Sequence, residues 1–456
     1  MERRNFLALL SSSLFPFKFN VSNILPFKLN NRVKYVENYG ALGDGSHDDT
    51  FNVERAIEDS IGFVLDWGGK DKVYRIMRPL VVPSNSTWVG CAEIYNQNDS
   101  DDMSKWACIH PGTFHPAYFE KMAKGEVELL NSDTIVFEKE LNIDKGELVW
   151  LFSIDGYKRK SWQFPYEAVL LKIKEINGSF IEVDNKVDLA PGKYLMAKAS
   201  DSNFRVMNNN SLQVCESSVI YGLRLRSKKG PAMQRGGMFR CNFVFSEICG
   251  TNGIFLNAIC ESSIYVQQMV CSRKFIDVAG NSKKSVVEVE NASYQKNDFS
   301  ENISLIAFNE NSNNCIVKFR TLDCDCFDFN SSIGQFNSSK NCTLEVFNGV
   351  SLYGTGYAFT FQVADKETEN FCMNNRFVLK KFKLGDSFRS AFWWNAGGRE
   401  SYVHNCGVYS TRIDAKSFSS GFSAIVSGTN SFISPDSTIG GGIIKVENGA
   451  VNVTVN

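Results

Sequence analysis

Four acidic residues in the second half of this 456-residue chain have the types and spacing needed for acid–base chemistry. Asp323 and Asp325 are two residues apart, so on a strand they would point to the same face. Asp277 lies 46 residues before Asp323, and Glu301 falls between them. In a chain of stacked coils of about 22 residues these positions would share one register, with carboxyls one or two coils apart. Those separations, roughly 5 Å and 9 Å, suit the paired carboxyls of glycoside hydrolysis, one as general acid and one as nucleophile or base.

Aromatic and charged residues farther along the chain are candidates for substrate contact. Trp393 and Trp394 are adjacent, and Arg399 and His404 follow them. Indole rings stack on flat apolar surfaces, but they fill protein cores equally often. For each acid named above, the alternative is a position on a solvated strand face, and for His404 it is ordinary packing or surface exposure. Both interpretations stay open on the sequence alone.

An internal repeat supplies the coils that would position these residues. The segment Cys215 to Tyr221 recurs as Cys260 to Val266, an offset of 45 residues, and Phe239 to Phe245 forms a middle copy. One unit is therefore about 22 residues, and later units lengthen to about 31 to 33 residues. A single unit of this size cannot bury its own apolar side, so stacked units are expected, with strands about 4.8 Å apart.

The stretch VENYGALGDGSHDDTFNVERAI, residues 36 to 57, predicts the element that closes one end of the stack. A strand is predicted over residues 32 to 39, and Gly40, Gly43, Asp44 and Gly45 then predict a sharp turn because glycine tolerates positive φ. Side chains of residues 48 to 50 are expected to accept hydrogen bonds from the first turn of a short helix.

This stretch resembles the N-terminal motif "GAxGDGxxDDTxAxxxAI" of the pectate-lyase-like right-handed parallel β-helix superfamily. The resemblance implies an all-β solenoid with an N-terminal capping helix. It also implies that Asp44, His47, Asp48 and Asp49 are architectural rather than catalytic. Residues 80 to 90 resemble the first strands and the "IPSNTxLxG" corner of the same superfamily.

The resemblance also suggests which chemistry such a solenoid carries. Polysaccharide-active members hold a sugar chain along the long face of the solenoid, and in pectate lyases acidic clusters bind Ca²⁺ while an Arg or Lys removes the sugar proton. Arg240 and Arg273 are the candidates for that role here, with Ca²⁺ as an optional ion and no other cofactor expected. The polygalacturonase motifs are absent, which puts a pectin substrate in doubt.

Composition shifts divide the chain into segments. We predict a signal-like or docking segment over residues 1 to 30, the start of the β-helix over 31 to 110, and an inserted small antiparallel β-domain over 111 to 204. The hairpin signal Asn177-Gly178 supports the insertion. The main β-helix follows over residues 205 to 430, and a C-terminal β-hairpin with Asn448-Gly449 at its turn is predicted over 431 to 456.

Residues 1 to 20 have a basic start and an apolar run, and Arg3 to Leu7 resembles the twin-arginine export motif RRxFL. Export to the periplasm or the extracellular space is one hypothesis, and an arm that docks on a virion tail is the alternative. The run is too short to span a bilayer, so no membrane span is predicted.

Charge and cysteine content exclude other classes. The net charge is −1 and the basic residues form no stripe, so nucleic acid is not an expected partner. The thirteen cysteines lack the spacing of a disulfide framework or of zinc ligands, and no metal site is predicted.

The sequence therefore favours a polysaccharide-degrading enzyme, a glycoside hydrolase or a polysaccharide lyase, that acts on a capsular or acidic cell-surface glycan. A phage tailspike that depolymerises such a glycan is one form of this hypothesis, with a homotrimer or virion attachment as the expected assembly. The alternative is a glycan-binding or structural spike without catalysis, because the β-helix hosts several functions.

Overall fold

The computed structural model describes residues 33–114, 118, 121–138, 142–153, 168–206, 211–295, 304–309, 311–324, 332–363, 371–395, 403–446 and 454–455. Parallel pairing between successive turns of the chain builds three long sheets, which we call sheets 1, 2 and 3 in the order the chain visits them. The structure confirms the predicted right-handed parallel β-helix. The predictions for residues 1 to 20 and for Glu301, Asp325 and Arg399 fall outside the described residues.

Five strands run through more than one sheet without a break, because the turns between their sheets are too tight to interrupt the ladder. Asn242–Cys260 and Ser263–Ala279 run through all three sheets. Val286–Tyr294, Ile316–Asp323 and Thr343–Ser351 run through sheets 1 and 2.

The other strands belong to single sheets. Sheet 1 contains Val33–Tyr35, Val64–Asp66, Thr87–Val89, Val219–Tyr221, Arg376–Leu379, Gly407–Val408, Phe432–Ile433 and Thr454–Val455. Sheet 2 contains Asp44–Asp48, Val73–Ile76, Glu93–Asn96, Arg224–Ser227, Phe382–Leu384, Arg412–Asp414 and Thr438–Ile439. Sheet 3 contains Leu80–Val82, Ile109–Pro111, Pro231–Phe239, Ile306–Phe308, Gly334–Asn337, Tyr357–Gln362, Ser390–Asn395, Phe422–Val426 and Ile443–Val446. Short strands Cys215–Glu216, Cys372–Met373 and Val403–His404 lie at the corner between sheets 3 and 1.

A left-handed residue recurs at this corner, two residues before the first strand position of sheet 1, in ten successive coils. Its φ lies between 49° and 57° each time, and the ten positions are Asn85, Ser217, Arg240, Glu261, Lys284, Asn314, Asn341, Asn374, Asn405 and Asn430. Asparagine tolerates this conformation better than most residues, which explains its frequency here. The amides also stack, since Asn374 Nδ2 donates to Asn341 Oδ1 at 2.9 Å.

The register of the corner corrects the predicted repeat by one residue. Val219 pairs with Asn242, which pairs with Ser263, so two coils span 44 residues rather than 45. The similar sequences Cys215 to Tyr221 and Cys260 to Val266 are therefore shifted by one position in space. The mean coil of 22 residues is confirmed for this part of the chain.

The N-terminal end is closed by the predicted helix, Thr50–Asp59. The predicted strand over 32 to 39 is shorter, because Val33–Tyr35 is followed by the 3-10 helix Val36–Tyr39. The Asp49 carboxylate does not cap the α-helix but accepts the amides of Leu42 and Gly43 at 2.8 and 3.0 Å. It therefore fixes the glycine turn onto the helix, an architectural role.

A closed antiparallel barrel interrupts the solenoid after its third coil. Its strands are Gly125–Leu129, Thr134–Phe137, Leu148–Ser153, Ala168–Asn177, Phe180–Val183 and Gly192–Lys198, and the hairpin Asp201–Arg205 with Ser211–Leu212 follows. One barrel face, including Trp150 and Phe152, packs on Phe239 and Ala258 of the solenoid. At the rim, Arg240 Nη1 contacts Asp184 at 2.5 Å, and Lys172 pairs with Glu216.

The predicted C-terminal hairpin is wrong. Ile443–Val446 pairs in parallel with Phe422–Val426 of sheet 3, and Thr454–Val455 pairs in parallel with Phe432–Ile433 of sheet 1. These strands continue the solenoid because their apolar pattern matches the coil beneath them. The remaining helix, the 3-10 turn Met103–Lys105, is short, and no helix in the described ranges has the length and hydropathy of a membrane span.

Candidate functional site

The predicted column of carboxylates does not form between Asp277 and Asp323. Asp277 lies on sheet 3 and pairs with Ala307 in the next coil, whereas Asp323 ends a strand of sheet 2 and pairs with Ser293 and Val350. The prediction failed because the coils lengthen earlier than the repeats suggested: Val287 to Val317 already spans 30 residues. A spacing of 46 residues therefore does not return the chain to the same sheet.

Asp277 is held by partners on its own and the next coil. It is 3% exposed, Lys274 Nζ lies 2.6 Å from Oδ2, and Asn309 Nδ2 donates to Oδ1 at 2.8 Å. Asn337 Nδ2 in turn donates to Asn309 Oδ1 at 3.1 Å. Both carboxylate oxygens are thus engaged, and the amide chain continues across three coils.

Asp277 belongs to a row of outward-facing positions that runs straight along sheet 3. Strand pairing joins one residue per coil, and we call this row the outer ladder: Phe255, Asp277, Ala307, Gln335, Thr360 and Trp393. At about 4.8 Å per coil, the ladder is roughly 24 Å long. Asp277, Ala307 and Thr360 are buried, whereas Phe255, Gln335 and Trp393 are half-buried.

The middle of the outer ladder is polar although it is largely covered. Ser304 Oγ contacts Ser332 Oγ at 2.6 Å and donates to the Gln335 carboxamide. The Thr360 hydroxyl and the Asn337 carboxamide oxygen are buried and have no hydrogen-bond partner among the described residues. Buried polar atoms left in this state cost free energy unless a ligand or water completes them.

An aromatic platform stands at the C-terminal end of the ladder. Trp393 is half-buried and stacks on Tyr357, with ring centroids 4.3 Å apart and planes inclined by 25°. The Arg389 guanidinium lies over the other ring of this pair, 5.2 Å from the Tyr357 centroid. Trp394, the alternate residue on the strand, points inward, is fully buried, and donates from Nε1 to the Cys406 carbonyl at 3.1 Å. The two predicted tryptophans therefore have different roles, one at the surface and one in the core.

The opposite end of the ladder also carries an aromatic side chain. Phe255 is half-buried and faces outward beside Lys274, whose Nζ lies 5.8 Å from its ring centroid. Aromatic rings at both ends of a polar row match the composition of a surface that contacts sugar rings by stacking and by hydrogen bonds. The spacing of these residues, which varies from 22 to 33 positions, concealed this row in the sequence.

The remaining predicted residues lie away from the outer ladder. Arg240 occupies the left-handed corner and binds Glu261 at 2.9 Å as well as Asp184, so it joins the barrel to the solenoid. His404 lies in the short corner strand and pairs with Thr429. Arg273 is adjacent to Lys274 and lies just before the part of its strand that pairs within sheet 3.

A divalent cation is not supported by the groups around Asp277. The Lys274 ammonium already occupies the position beside its carboxylate and would repel a second cation. Among the described residues, no cluster of three or more His, Cys, Asp or Glu side chains has the arrangement of a metal site.

No protein-family model matches this chain, and no curated protein matches it in sequence. Among solved structures it is similar to the tailspike gp61 of Pseudomonas phage phi297, at 10% identity and a TM-score of 0.45, over 93% of this chain and 81% of that one. It is also similar to the tailspike gp49 of Pseudomonas phage LKA1, at 11% identity and a TM-score of 0.40, with the same coverage. A third match, the Gp54 tailspike of Acinetobacter baumannii bacteriophage AP22 in complex with a capsular saccharide, has 9% identity, a TM-score of 0.34, and covers 89% and 78% of the two chains. The chemistry of this chain has to be inferred from its own side chains.

Proposed function

We propose that this protein holds an extended polysaccharide along the outer ladder of sheet 3. The observation that carries the proposal is the ladder itself, in which Phe255 and the Trp393–Tyr357 stack bracket a covered polar row. Sugar rings present an apolar face and a rim of hydroxyls, so they need stacking surfaces and hydrogen-bond groups together. The unpartnered atoms of Thr360 and Asn337 supply acceptors for such hydroxyls.

We further propose that the bound glycan is cleaved, with the Asp277 carboxylate at the centre of the reaction. Lys274 Nζ and Asn309 Nδ2 hold its two oxygens in a fixed position, which suits a base or a nucleophile. Lys274, as an ammonium, would stabilise negative charge that develops on the substrate. The acid that protonates the leaving oxygen is a second carboxyl, and Glu301 and Asp325 remain its sequence-based candidates.

The substrate class, location and assembly remain expectations based on the sequence. A capsular or acidic cell-surface glycan, action outside the cell or at a virion tail, and a homotrimer are the expectations. Sedimentation of the purified protein tests the trimer directly, because a monomer of 51.2 kDa and its trimer differ threefold in mass.

The decisive experiment measures both binding and cleavage on a panel of capsular and uronic-acid polysaccharides. Retention of the protein on an immobilised glycan, lost in Trp393→Ala and kept in Trp394→Phe, supports the ladder as the binding surface. New reducing ends that disappear in Asp277→Asn support cleavage, and accompanying ultraviolet absorbance of an unsaturated sugar assigns a lyase. Binding without new reducing ends would leave a glycan-binding spike, and no binding to any glycan would reject the proposal.

A further inference from the structure

Arg235 has a backbone conformation that its neighbours in sheet 3 do not share. Its φ is +67°, whereas Leu256 and Val278, on the same rung of the next two coils, are buried core residues that do not have positive φ. A side chain on this rung would ordinarily point into the solenoid. The left-handed backbone, which is unfavourable for an arginine, instead leaves the Arg235 side chain half-buried.

Arg235 makes no ion pair within the described part of the chain, and its buried Nε has no hydrogen-bond partner there. Burial lowers the pKa of its guanidinium, while its hydrogen-bond partner Tyr118 and the charge of Asp102 act in the opposite direction. A covered guanidinium in this state is unfavourable unless an anion completes it.

Two uncharged side chains stand beside Arg235 on sheet 3. His110 stands one coil before Arg235 on sheet 3, since Ile109 pairs with Met233. It is 4% exposed, and burial together with the Arg235 charge lowers its pKa to about 3, so it is neutral at pH 7. Its Nε2 has no partner among the described residues, and neither has the buried carboxamide oxygen of Gln234.

Gln234 connects this cluster to the outer ladder. It pairs with Phe255 and is therefore the next rung beyond that aromatic end, toward the barrel. A glycan that lies on the ladder would extend over Gln234 and reach Arg235.

We propose that Arg235, with His110 and Gln234, forms a subsite for the carboxylate of an acidic sugar at the barrel end of the outer ladder. The planar guanidinium binds a carboxylate through two parallel hydrogen bonds, and the carboxamide and imidazole contact the neighbouring hydroxyls. The subsite deepens the proposed function and rests on it for the placement of the glycan. It specifies that the polysaccharide contains an acidic sugar.

The first test uses a single sugar and does not need the natural glycan. Glucuronate at tens of millimolar is expected to raise the thermal unfolding midpoint of the protein, whereas glucose, or sodium chloride at equal ionic strength, is not. The rise should vanish in Arg235→Gly, a change that removes the cation while glycine accepts the left-handed backbone. It should persist in Arg412→Gln, which changes an exposed arginine on sheet 2. No rise in the wild type, or an unchanged rise in Arg235→Gly, would overturn the subsite.

The second test separates this inference from the proposed function. An acidic polysaccharide that the protein retains is compared with its carboxyl-reduced form, in which each acid becomes an alcohol. We expect carboxyl reduction to weaken wild-type binding about tenfold, as the loss of a charged hydrogen-bond pair does, and to leave Arg235→Gly unchanged. Equal binding of both forms by the wild type, with binding still lost in Trp393→Ala, would overturn the acidic subsite and leave the ladder intact. If Trp393→Ala still retained every glycan, the outer ladder would not be the binding surface. The acidic subsite would then rest on the glucuronate result alone.

Discussion

Asp277 and Trp393 stand on one ladder of sheet 3, four coils apart, although 116 residues separate them in the chain. Parallel pairing carries the register from one to the other through Ala307, Gln335 and Thr360. A carboxylate and an aromatic ring are thereby placed on the same outward face, roughly 19 Å apart.

Replacing Trp393 and Trp394 separately should affect different properties. Trp394→Ala removes a fully buried ring whose centroid lies 5.0 Å from that of Phe361. We expect this change to lower the free energy of unfolding by about 3–5 kcal/mol. Trp393→Ala removes a half-buried stacking surface and should weaken glycan binding roughly five- to tenfold with a smaller loss of stability. Urea unfolding and glycan retention, measured on both variants, check the contrast. Equal loss of stability in the two would contradict the assignment of one ring to the surface.

The Lys274–Asp277 pair should behave as a coupled unit. Each single change, Lys274→Met or Asp277→Asn, leaves a buried or partly buried charge without its ion-pair partner and should cost about 3 kcal/mol. The double variant should cost less than the sum of the two, because neither charge then remains unpaired. A double-mutant cycle by urea unfolding measures this coupling. Strict additivity would show that the two charges do not interact in solution.

The ionised carboxylate of Asp44 should stabilise the fold at neutral pH, and this contribution should be lost in acid. Hydrogen bonds from the amides of His47 and Ser46 lower its pKa in the folded state. A folded pKa below the unfolded value of about 3.9 adds stability above that pH, and this stability is lost as the pH falls toward the folded pKa. The difference in urea midpoint between the wild type and Asp44→Ala should therefore be large at pH 7 and shrink below about pH 4. Asp386→Ala, at an exposed site, serves as the control, and a difference independent of pH would refute the mechanism.

The corner asparagines should be more tolerant of glycine than of alanine. Asn374 has φ of 52°, so Asn374→Ala should cost about 1–2 kcal/mol through backbone strain. Asn374→Gly avoids that strain and loses only the amide contact with Asn341. Asn348, an exposed residue without a positive φ, provides a matched control whose change to alanine should be nearly neutral. Thermal unfolding of the three variants ranks them, and the reverse order of glycine and alanine would exclude the backbone explanation.

The fold was predictable because its signals are local. The glycine turn and the helix start at Thr50 lie within about twenty residues, and the apolar pattern of Phe243 and Ile264 repeats at the coil period. The role of Asp49 was not predictable, because the same carboxylate can accept amides from the helix or from the preceding turn. Only the folded turn shows that Leu42 and Gly43 are its donors.

The site was less predictable because residue spacing ceases to report the sheet once coils differ in length. Asp323 was expected above Asp277, but the longer connections place it on sheet 2. The ladder partners Gln335 and Thr360 carry no signature of their own, since amides and hydroxyls are frequent throughout the chain. Trp393 was a candidate because tryptophan often stacks on sugar rings. Only the alternation of inward and outward side chains along its strand distinguishes it from Trp394.

The left-handed corner between sheets 3 and 1 has a consequence for how this chain can diversify. The distance from the corner residue to sheet 1 stays at two residues in all ten coils, whereas the connection from sheet 2 to sheet 3 changes from coil to coil: Cys271 and Lys274 are three residues apart, and Tyr294 and Ile306 are twelve apart. Differences in length are thus absorbed in the connections on both sides of sheet 3, including the barrel between Pro111 and Cys215, whereas the two residues from the corner to sheet 1 keep the strands aligned. Both sets of connections border the outer ladder, so new specificities can arise there by changes in loop length without loss of the scaffold.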